Sequence, residues 1–580
     1  MSHRILIAAA VCIAAITLTP SSASAQFLRA DGPRIVDADG NEVLLRGIGL
    51  GGWMLQEGYM LRTRGPQYVI ESDIEALVGK DRKEQFYEAW LANHTREIDI
   101  DSMKAWGFNS VRLPMHYKWF TPPIEEEPVP GEITWREKGF EMVDALLEWV
   151  GKNEMYLILD LHATPGGQGK NADINDYNPE KPSLWESEAN QAKTIALWRK
   201  LAERYRDEPW IGGYDMINEP NWGFADIEND PNGCSEEGNA PLWDLQRRIT
   251  EAIREVDTNH IVIIEGNCWG NNYRSLPPLW DDNLVISYHK YWNYNTVAEI
   301  QHMLDMREER NVPIWLGETG ENSNTWFTNA IALLESHDIG WAWWPLKKIG
   351  TNQPLEIVAN DAYLATVRYF QEGGDKPDPD EAFTGLKQLT ENLKLENNVI
   401  HRDVIDAMMR QPHTTEVLPW KRHVVSAANP TTILAVDYDL GRNGYAYLDV
   451  DTANYWVSGV NSAGNRGYGY RNDGVDIGRD EDGGHYVGWI EPGEWLQYTV
   501  EVEDAGMYEV SIETRLDDAA GRVTWMVDGA AVGAGIALPD ADHWTQTRVG
   551  SVDLEAGSHQ IRLIIEDGGF DLRALRIARQ

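Results

Sequence analysis

Two glutamates in the middle of the chain directly follow short apolar runs. Glu219 lies in an Asn-Glu-Pro motif after the run 211–217, and Glu318 lies in a Gly-Glu-Thr-Gly motif after the run 312–316. Runs of this length and composition are typical of strands that are buried on both faces. Two carboxylates on neighbouring strand ends are the smallest set of groups that hydrolyses a glycosidic bond. The pair is therefore the leading candidate for a catalytic site.

The segments around these glutamates alternate between strand-like and helix-like patterns. The strand candidates are Glu42–Leu50, Ser110–Met115, Met155–His162, Ile211–Glu219, His260–Gly266, Leu284–Tyr291, Val312–Glu318 and Gly340–Leu346. Helical patterns between them include Lys138–Lys152, Asn190–Tyr205, Leu242–Val256 and Ala298–Arg310. Strands that alternate with helical crossovers predict an α/β fold, a (β/α)8 TIM barrel. An open doubly wound sheet is the alternative, but the glycines at 49–52 lack the spacing of a dinucleotide-binding turn.

Polar residues stand at the carboxyl ends of these predicted strands. In a barrel, such residues face one common site. They are Arg112, His162, Asn218, Glu219, His289, Tyr291, Glu318 and Trp344. Glu265 ends the fifth strand and is interpreted as a supporting carboxylate, whereas Trp341 and Trp343 are interpreted as packing residues. Polar groups among buried strands are costly unless they are used or bonded to one another.

The rest of the chain divides into segments with different patterns. Residues 1–25 combine Arg4, an apolar run and a small-residue Ala-Ser-Ala site, which predicts a secretory signal peptide, with an uncleaved anchor as the alternative. We place the catalytic domain at 26–411 and a proline-containing linker at 412–430. Residues 431–580 show short alternating strands and turn signals, which predict an all-β, jelly-roll-like sandwich.

Charge and cysteine content limit the partners and the compartment. The net charge of -41 over 580 residues disfavours nucleic acid and anionic membranes as partners, and neutral glycans suit it, although the same charge also serves solubility. Cys12 leaves with the signal peptide, so Cys234 and Cys268 permit at most one intramolecular disulfide. An exported protein is free to form that bond.

The strand-end residues and their surroundings resemble glycoside hydrolase family 5 over most of residues 30–350. The motifs that carry the resemblance are Gly47–Trp53, Val111–Pro114, Leu159–His162, Asn218–Pro220, His289–Tyr291, Gly317-Glu318 and Gly340–Trp344. The resemblance implies that Glu219 is the general acid and base and that Glu318 is the nucleophile of a retaining mechanism. Their carboxyl groups are then expected to lie roughly 5 Å apart.

The resemblance also implies roles for the neighbouring residues. Arg112 and Tyr291 donate hydrogen bonds that keep Glu318 ionised, while burial and proximity raise the pKa of Glu219. The remaining expected roles are the sugar 2-hydroxyl contact by Asn218, shaping of the site by His162 and His289, and stacking on the sugar by Trp344. The alternatives are a structural ion pair for Arg112, satisfied core histidines, or a zinc site built from His162, His289 and Glu219.

Two further segments, Leu161–Gln168 and Gly49–Glu57, resemble the β-1,3-glucanase branch of the family. We therefore expect a secreted, periplasmic or cell-surface enzyme that cleaves β-1,3-linked glucan as a monomer and needs no cofactor for catalysis. The alternatives are a hydrolase of β-1,4-glucan, β-1,6-glucan or mannan, a metal-dependent hydrolase, and a non-catalytic glycan-binding protein. Oligosaccharide or polysaccharide is the expected partner.

The C-terminal domain resembles carbohydrate-binding module family 6. The matching segments are Tyr470–Ile477, Pro492–Tyr498, Ala505–Tyr508, Trp544–Thr547, Leu554–His559 and Gly569–Leu572. The resemblance implies a sugar held between Tyr470 and Trp544, with Asp571 where such modules often place an asparagine. Trp495 and Tyr508 are expected in the core. A structural Ca²⁺ is a further expectation, with the side chains of Asp437, Asp439 and Asp553 as oxygen donors.

Overall fold

The computed structural model describes residues 27–450, 453–455, 469–516 and 521–580. The predicted signal peptide and Cys12 lie outside these residues. Within the described ranges, none of the helices combines the length and apolarity that crossing a membrane requires.

Eight parallel strands close into a barrel, which confirms the predicted fold. They are β1 (Arg46–Gly49), β2 (Ser110–His116), β3 (Tyr156–Ala163), β4 (Ile211–Asp215), β5 (Val262–Glu265), β6 (Leu284–Lys290), β7 (Ile314–Gly320) and β8 (Trp341–Trp344). Each strand pairs with the next, and β8 pairs with both β7 and β1. Strand β2 is buried along its whole length, and its polar members Ser110, Arg112 and His116 are buried with the apolar ones.

Helices surround the barrel and cover its apolar strands. Their bounds are Gln67–Val78, Lys80–His94, Glu97–Trp106, Glu137–Lys152, Ala172–Asn175, Glu188–Tyr205, Ala240–Arg254, Asn267–Gly270, Val297–Arg310, Asn324–Glu335, Asp361–Glu372, Pro379–Asn392 and Arg402–Met409. The helix Glu137–Lys152 shows the pattern that folds them, because Phe140, Val143, Leu146 and Val150 recur every three or four residues and are buried on one stripe.

Residues 379–409 form two helices and not one continuous helix. The helices are Pro379–Asn392 and Arg402–Met409, with a short strand, Val399–Ile400, between them. The break has a local cause. Asn397 Nδ2 donates to the Glu391 carbonyl at 2.8 Å, and Asn398 Nδ2 donates to the Asn392 carbonyl at 2.7 Å. These side chains bond the last free carbonyls of the first helix and end it.

The C-terminal region is all-β and consists of two facing sheets around its own apolar core. Its strands are β9 (His423–Val425), β10 (Thr431–Leu434), β11 (Tyr447–Leu448), β12 (Ile477–Arg479), β13 (His485–Val487), β14 (Trp495–Val502), β15 (Gly506–Leu516), β16 (Arg522–Val527), β17 (Ala530–Ala537), β18 (Thr545–Leu554), β19 (Gly557–Asp567) and β20 (Phe570–Arg579). Trp495 and Tyr508 are buried in it. We refer to this region as the C-terminal module.

The segment predicted as a linker, 412–430, contributes a strand to this module. Strand β9 pairs in parallel with β14, with His423 opposite Val500 and Val425 opposite Val502. Val425 is fully buried, so the side-chain alternation of His-Val-Val places an apolar group inside the sandwich. The prolines that suggested a linker lie outside this strand, which is why the pattern of the segment concealed it.

Candidate active site

The carboxyl end of the barrel holds a cavity of about 310 Å³. Its lining includes Glu219, Glu318, His289, Tyr291 and Trp344, five of the residues that the strand-end analysis selected. The other three selected residues are buried next to this lining. Arg112 bonds Glu318, His162 stacks on Trp344, and Asn218 contacts both Arg112 and His162. The barrel therefore brings together all eight selected residues, from strands β2, β3, β4, β6, β7 and β8 and the turns that follow them.

Glu219 and Glu318 lie close to each other. Their carboxylate oxygens and a ring nitrogen of His289 all lie within 4.8 Å of one another. Both glutamates are buried. The distance agrees with the expected separation of roughly 5 Å and is too short for a water molecule to attack from between the two groups, as an inverting mechanism requires.

Glu318 is held by two donors, one on each carboxylate oxygen. The Tyr291 hydroxyl donates to Oε1 at 2.6 Å, and Arg112 Nη1 donates to Oε2 at 2.6 Å. Burial alone would raise the pKa of Glu318, but the nearby positive charges of His289 and Arg112 and the Tyr291 hydrogen bond outweigh burial and lower the pKa. Glu318 is therefore set up to remain a carboxylate.

Glu219 has the opposite electrostatic setting. Burial raises its pKa, and the negative charge of Glu318 adds to this, although His289 Nδ1 lies 2.6 Å from Oε1 and opposes the shift. The Glu219 backbone has a positive φ of 42°, and its N–H donates to Glu265 Oε2 at 2.7 Å. A left-handed conformation is unusual for glutamate, so the buried Glu265 helps to fix the backbone that aims this side chain.

Arg112 joins the supporting carboxylates to the site. Its Nη2 donates to Asp215 Oδ2 at 2.8 Å, to Asn218 Oδ1 at 2.7 Å and to Glu265 Oε1 at 3.2 Å. The guanidinium is 1% exposed, so these acceptors replace the water that it has lost. Glu265 bonds both Arg112 and the Glu219 backbone, which is the supporting position expected for it.

His162 and Trp344 form one layer beneath the cavity. The two rings are stacked, with centroids 5.1 Å apart and planes 5° from parallel, and His162 Nδ1 lies 2.7 Å from Asp160 Oδ2. The indole of Trp344 also lies directly against Gly49 and Gly51. A Cβ atom at either glycine would meet the ring at 2.6 or 2.7 Å, closer than real Cβ contacts allow.

Eight of the thirteen residues that line the cavity are not among the predicted strand-end residues, and they include Glu57 and Trp269. Glu57 follows β1 by several residues, is 3% exposed, and lies 3.8 Å from His162 Nε2. Burial raises the pKa of Glu57 to about 7. The sequence signal for Glu57 is its place at the end of the segment Gly49–Glu57, which resembles the β-1,3-glucanase branch.

Trp269, another lining residue outside the predicted strand ends, reaches the cavity from a strained turn. Cys268 and Trp269 both have left-handed backbones, with φ of 53° and 54°. Cys268 forms a disulfide with Cys234, and the Trp269 N–H donates to the Pro220 carbonyl at 3.1 Å. The sequence signal for Trp269 is the neighbouring cysteine. A disulfide at Cys268 fixes the turn next to this aromatic residue, although the turn does not belong to a barrel strand.

Metal-ligand geometry occurs once among the described residues, at Glu219, His289 and Glu318. Burial lowers the pKa of His289, but the carboxylates of Glu265 and Glu219 outweigh burial and raise the pKa well above its usual range. His289 Nδ1 lies 2.6 Å from Glu219 Oε1 and Nε2 lies 3.4 Å from Glu265 Oε1, so carboxylates of the protein face both ring nitrogens. His162, named in the zinc alternative, points its Nδ1 at Asp160 instead.

The three aspartates suggested for Ca²⁺ do not form a ligand group within the described ranges. Asp437 accepts from Lys421 Nζ at 3.2 Å, and Asp439 accepts from the Thr499 hydroxyl at 2.7 Å. Asp553 lies elsewhere, on β18 opposite Met507. Protein donors therefore occupy the two aspartates that lie near each other in sequence.

The expected sugar-binding pair of the module is not assembled. Tyr470 packs on His485, with ring centroids 5.1 Å apart, whereas Trp544 packs on Tyr486, with centroids 5.7 Å apart. His485 and Tyr486 are consecutive residues of β13 and so point to opposite faces of the sheet. Tyr470 and Trp544 are thus separated by a strand, and the expectation that they sandwich one sugar is wrong.

Asp571, the third residue expected to bind sugar in the module, is hydrogen-bonded to an arginine of the same module. Asp571 Oδ2 accepts from Arg515 Nε at 3.1 Å. The Arg515 guanidinium also lies 4.6 Å from the Trp544 ring centroid, and Trp544 Nε1 donates to Asp480 Oδ2 at 2.9 Å. We call Tyr486, Arg515, Trp544 and Asp571 the Trp544 face. Its polar groups bond to one another and to Asp480.

A closed parallel barrel with a buried, oppositely tuned carboxylate pair at its carboxyl end defines a glycoside hydrolase. Residues 76–349 match the family model described as Cellulase (glycosyl hydrolase family 5). The barrel is therefore a family 5 glycosyl hydrolase domain. Residues 471–577 match the model described as carbohydrate binding module (family 35), so the expected assignment of the module to family 6 is not confirmed.

Curated relatives match between about a third and three fifths of this chain. A protein named Beta-xylosidase from Phanerodontia chrysosporium is 27% identical over 382 residues, covering 59% of this chain and 75% of that protein. Endoglucanase C from Acetivibrio thermocellus is 24% identical over 366 residues, covering 52% and 91%. Probable glucan 1,3-beta-glucosidase A from Aspergillus fumigatus is 25% identical over 227 residues, covering 38% of this chain and 49% of that protein.

Proposed function

We propose that this protein is a retaining hydrolase of β-glucan, with β-1,3-linked glucan as its preferred substrate. The observation that carries the proposal is the Glu219–Glu318 pair, in which carboxylate oxygens lie within 4.8 Å and the two pKa values are shifted in opposite directions. Two carboxyl groups at this separation suit a double displacement, with one protonated acid and one ionised nucleophile.

In the first step, Glu318 attacks the anomeric carbon and the glycosidic bond breaks. Glu219 gives its proton to the departing oxygen, and the sugar remains bound to Glu318 as an ester. Tyr291 and Arg112 hold the two oxygens of Glu318 before the attack, so the nucleophile needs little reorientation. In this mechanism Asn218, which accepts a hydrogen bond from Arg112, contacts the sugar 2-hydroxyl.

In the second step, Glu219 acts as the base. It takes a proton from water, the resulting hydroxide attacks the anomeric carbon, and the bond to Glu318 breaks. Two displacements at the same carbon retain its configuration. Glu219 is protonated again at the end, and Glu318 is a carboxylate again, so the enzyme returns to its starting state.

The substrate assignment rests on the cavity and on the relatives. A cavity of about 310 Å³ with Trp344 on one wall suits a neutral sugar ring, whose C–H face packs on an aromatic surface. Glu57 lies beside His162 and is placed to bind sugar hydroxyls. The relatives carry names for a xylosidase, an endoglucanase and a 1,3-glucosidase, which supports a β-glycan, and the segments Leu161–Gln168 and Gly49–Glu57 favour the β-1,3 linkage.

The proposal includes an exported enzyme that acts alone on polysaccharide or oligosaccharide. The disulfide between Cys234 and Cys268 supports export, because such bonds persist in oxidising compartments. The net charge of -41 supports a partner that is neither nucleic acid nor an anionic membrane. Size-exclusion chromatography with light scattering tests the expected monomer.

The deciding experiment measures product release from laminarin, mixed-linkage glucan, carboxymethylcellulose, pustulan and mannan, with Glu318→Ala as the control. We expect release from laminarin that Glu318→Ala abolishes and that a chelator leaves unchanged. Release from another glycan alone would keep the mechanism and reject the β-1,3 linkage. Silence of the wild-type protein on all five would favour a glycan-binding protein or a substrate outside this set.

Azide tests the assignment of the two glutamates. In Glu318→Ala, azide replaces the missing nucleophile on an activated aryl β-glucoside and gives the α-glycosyl azide. In Glu219→Ala, azide attacks the covalent intermediate and gives the β-glycosyl azide. The reverse pattern, or release of the α-anomer by the wild-type enzyme in proton NMR, would contradict the roles proposed here.

A further inference from the structure

The C-terminal module is fixed to the barrel beside the catalytic cavity. Strand β7 carries Glu318. The segment that follows β7 contains Asn322 and Asn324, and both residues contact the module. Asn324 N–H donates to the Asn472 carbonyl at 2.7 Å, and Asn324 Nδ2 donates to Asp473 Oδ1 at 2.9 Å. These four side chains are at most 2% exposed. Buried polar contacts of this density hold two bodies in one arrangement.

The same contact surface reaches the loop that follows β6. Asn454 of the module donates through Nδ2 to the Trp292 carbonyl at 3.0 Å. Asn322 Nδ2 donates both to Asn454 Oδ1 at 2.9 Å and to the Tyr291 carbonyl at 3.2 Å, and the Tyr455 N–H donates to Asn322 Oδ1 at 3.0 Å. The module thus bonds the Trp292 carbonyl directly, and it reaches the Tyr291 carbonyl only through Asn322 of the barrel.

Trp292 is the exposed member of this loop. Its side chain lines the catalytic cavity and the residue is 54% exposed, so part of an aromatic side chain is open to solvent at the cavity rim. Large exposed aromatic residues at the edge of a pocket provide a flat apolar surface on which a sugar ring packs. Trp292 and Trp344 both line this cavity, so both offer aromatic surface to a glycan longer than one sugar unit.

We propose that Trp292 is a binding platform for a second sugar unit at the cavity rim and that Asn454 of the module is the residue that positions it. The inference rests on the proposed glycosidase function and deepens it. The module is then one wall of the catalytic site, and its contribution is to substrates that extend beyond the cavity. A module that only tethers the enzyme to polymer would leave soluble oligosaccharides unaffected.

The test compares two substrates in the full chain. 4-Nitrophenyl β-glucoside probes the inner cavity, and laminaritetraose, or the tetrasaccharide of whichever glycan proves active, probes the rim. Trp292→Ala is expected to lower kcat/KM on the tetrasaccharide about 5- to 10-fold, mainly through KM, and to change kcat/KM on the aryl glucoside less than about 2-fold.

Asn454→Asp removes the donor to the Trp292 carbonyl while keeping side-chain size and the acceptor for Asn322. It is expected to lower kcat/KM on the tetrasaccharide about 3- to 10-fold and to leave the aryl glucoside nearly unchanged. Asn443→Asp is the matched control, because Asn443 Nδ2 donates at 3.0 Å to a carbonyl within the module, that of Asp449. This control is expected to leave the ratio of the two substrates unchanged.

The double variant Trp292→Ala/Asn454→Asp separates positioning from general damage. If Asn454 acts through the Trp292 ring, the double variant matches Trp292→Ala on the tetrasaccharide, whereas independent effects multiply. Multiplied effects, or equal losses on both substrates, would overturn the inference. If Asn454→Asp does not fold by thermal unfolding, Asn454→Ala, which adds no charge, replaces it.

The outcome is distinguishable from a failure of the proposed function. If the wild-type protein cleaves neither substrate nor any glycan in the panel, the function is wrong. If the wild-type protein is active and Trp292→Ala keeps its preference for the tetrasaccharide, the function stands and the platform is wrong.

Discussion

The catalytic end of the barrel and the Trp544 face of the module both place an arginine among carboxylates and aromatic rings, but they differ in how that arginine is surrounded. Arg112 is 1% exposed and meets carboxylates from β3, β4, β5 and β7. The Arg515 side chain is 29% exposed and pairs with Asp571 and Asp480. Burial and several partners fix one geometry in the barrel, whereas water competes for the pairs of the module.

The first prediction is that replacing one carboxylate in the barrel, that of Glu318, abolishes hydrolysis, whereas a single substitution in the module does not. Glu318→Gln is expected to lower kcat/KM about 10⁴-fold or more on the most active glycan, because the amide is not a nucleophile. The steady-state rate and the thermal unfolding midpoint are measured together. Glu321→Gln, a cavity residue paired with Lys348, is the matched control and is expected to cost far less. Equal losses in the two variants would contradict the assignment of Glu318.

The second prediction concerns stability and compares the two arginines directly. Arg112→Met leaves Asp160, Asp215 and Glu265 buried without their cation and is expected to cost about 3–5 kcal/mol of unfolding free energy. Arg515→Met removes partly exposed pairs and is expected to cost about 1 kcal/mol or less. Urea unfolding followed by the fluorescence of each region measures both. Similar costs would show that exposure does not govern the difference.

The third prediction concerns pH. Activity requires an ionised Glu318 and a protonated Glu219. The pKa of Glu318 is lowered, so activity is lost when the pH falls through that pKa. The pKa of Glu219 is raised, so activity is lost when the pH rises through that pKa. Tyr291→Phe removes a hydrogen bond that lowers the pKa of Glu318, so the acid limb is expected to move to higher pH. We also expect a loss of about 10- to 100-fold in kcat.

The kcat/KM profile of Tyr291→Phe on an aryl glucoside checks this expectation. An acid limb that stays in place, or moves to lower pH, would show that the Tyr291 hydroxyl does not hold the carboxylate form of Glu318. Tyr59→Phe is the control, because the Tyr59 hydroxyl contacts Trp344 Nε1 at 3.0 Å and not Glu318.

The smallest effect is expected on the Trp544 face. Arg515→Ala frees Asp571 and uncovers Trp544, but neither lies at the catalytic cavity, so kcat/KM on a soluble tetrasaccharide should change less than about 2-fold. Retention on insoluble glucan is measured alongside. A large change in soluble activity would show that the two regions are coupled through the module.

The barrel and most of its site were predictable from sequence. Parallel strands buried on both faces give unbroken apolar runs, and their carboxyl ends meet at one edge, so Arg112, Asn218 and Glu318 could be placed together without coordinates. Glu57 and Trp269 were not predictable in this way. Their positions depend on a long turn after β1 and on two left-handed residues beside a disulfide, and neither leaves a periodic signal.

The module shows the opposite balance. Its sandwich was predicted from alternating strands, but β13 is only three residues long and was not recognised. Because side chains alternate along a strand, missing β13 concealed that Tyr470 and Trp544 contact opposite faces of it. Strand β9 was missed for a related reason, since three residues within a proline-containing segment give too short a pattern.

The indole of Trp344 lying against Gly49 and Gly51 has a consequence for how this enzyme can change. Every single-residue substitution at either glycine adds a Cβ that would meet the ring at 2.6 or 2.7 Å. Substitutions at Gly49 or Gly51 would therefore displace the Trp344 ring, so they are not expected to produce a new sugar preference. Adaptation, in nature or in directed evolution, is left to the loops that carry Trp269 and Trp292.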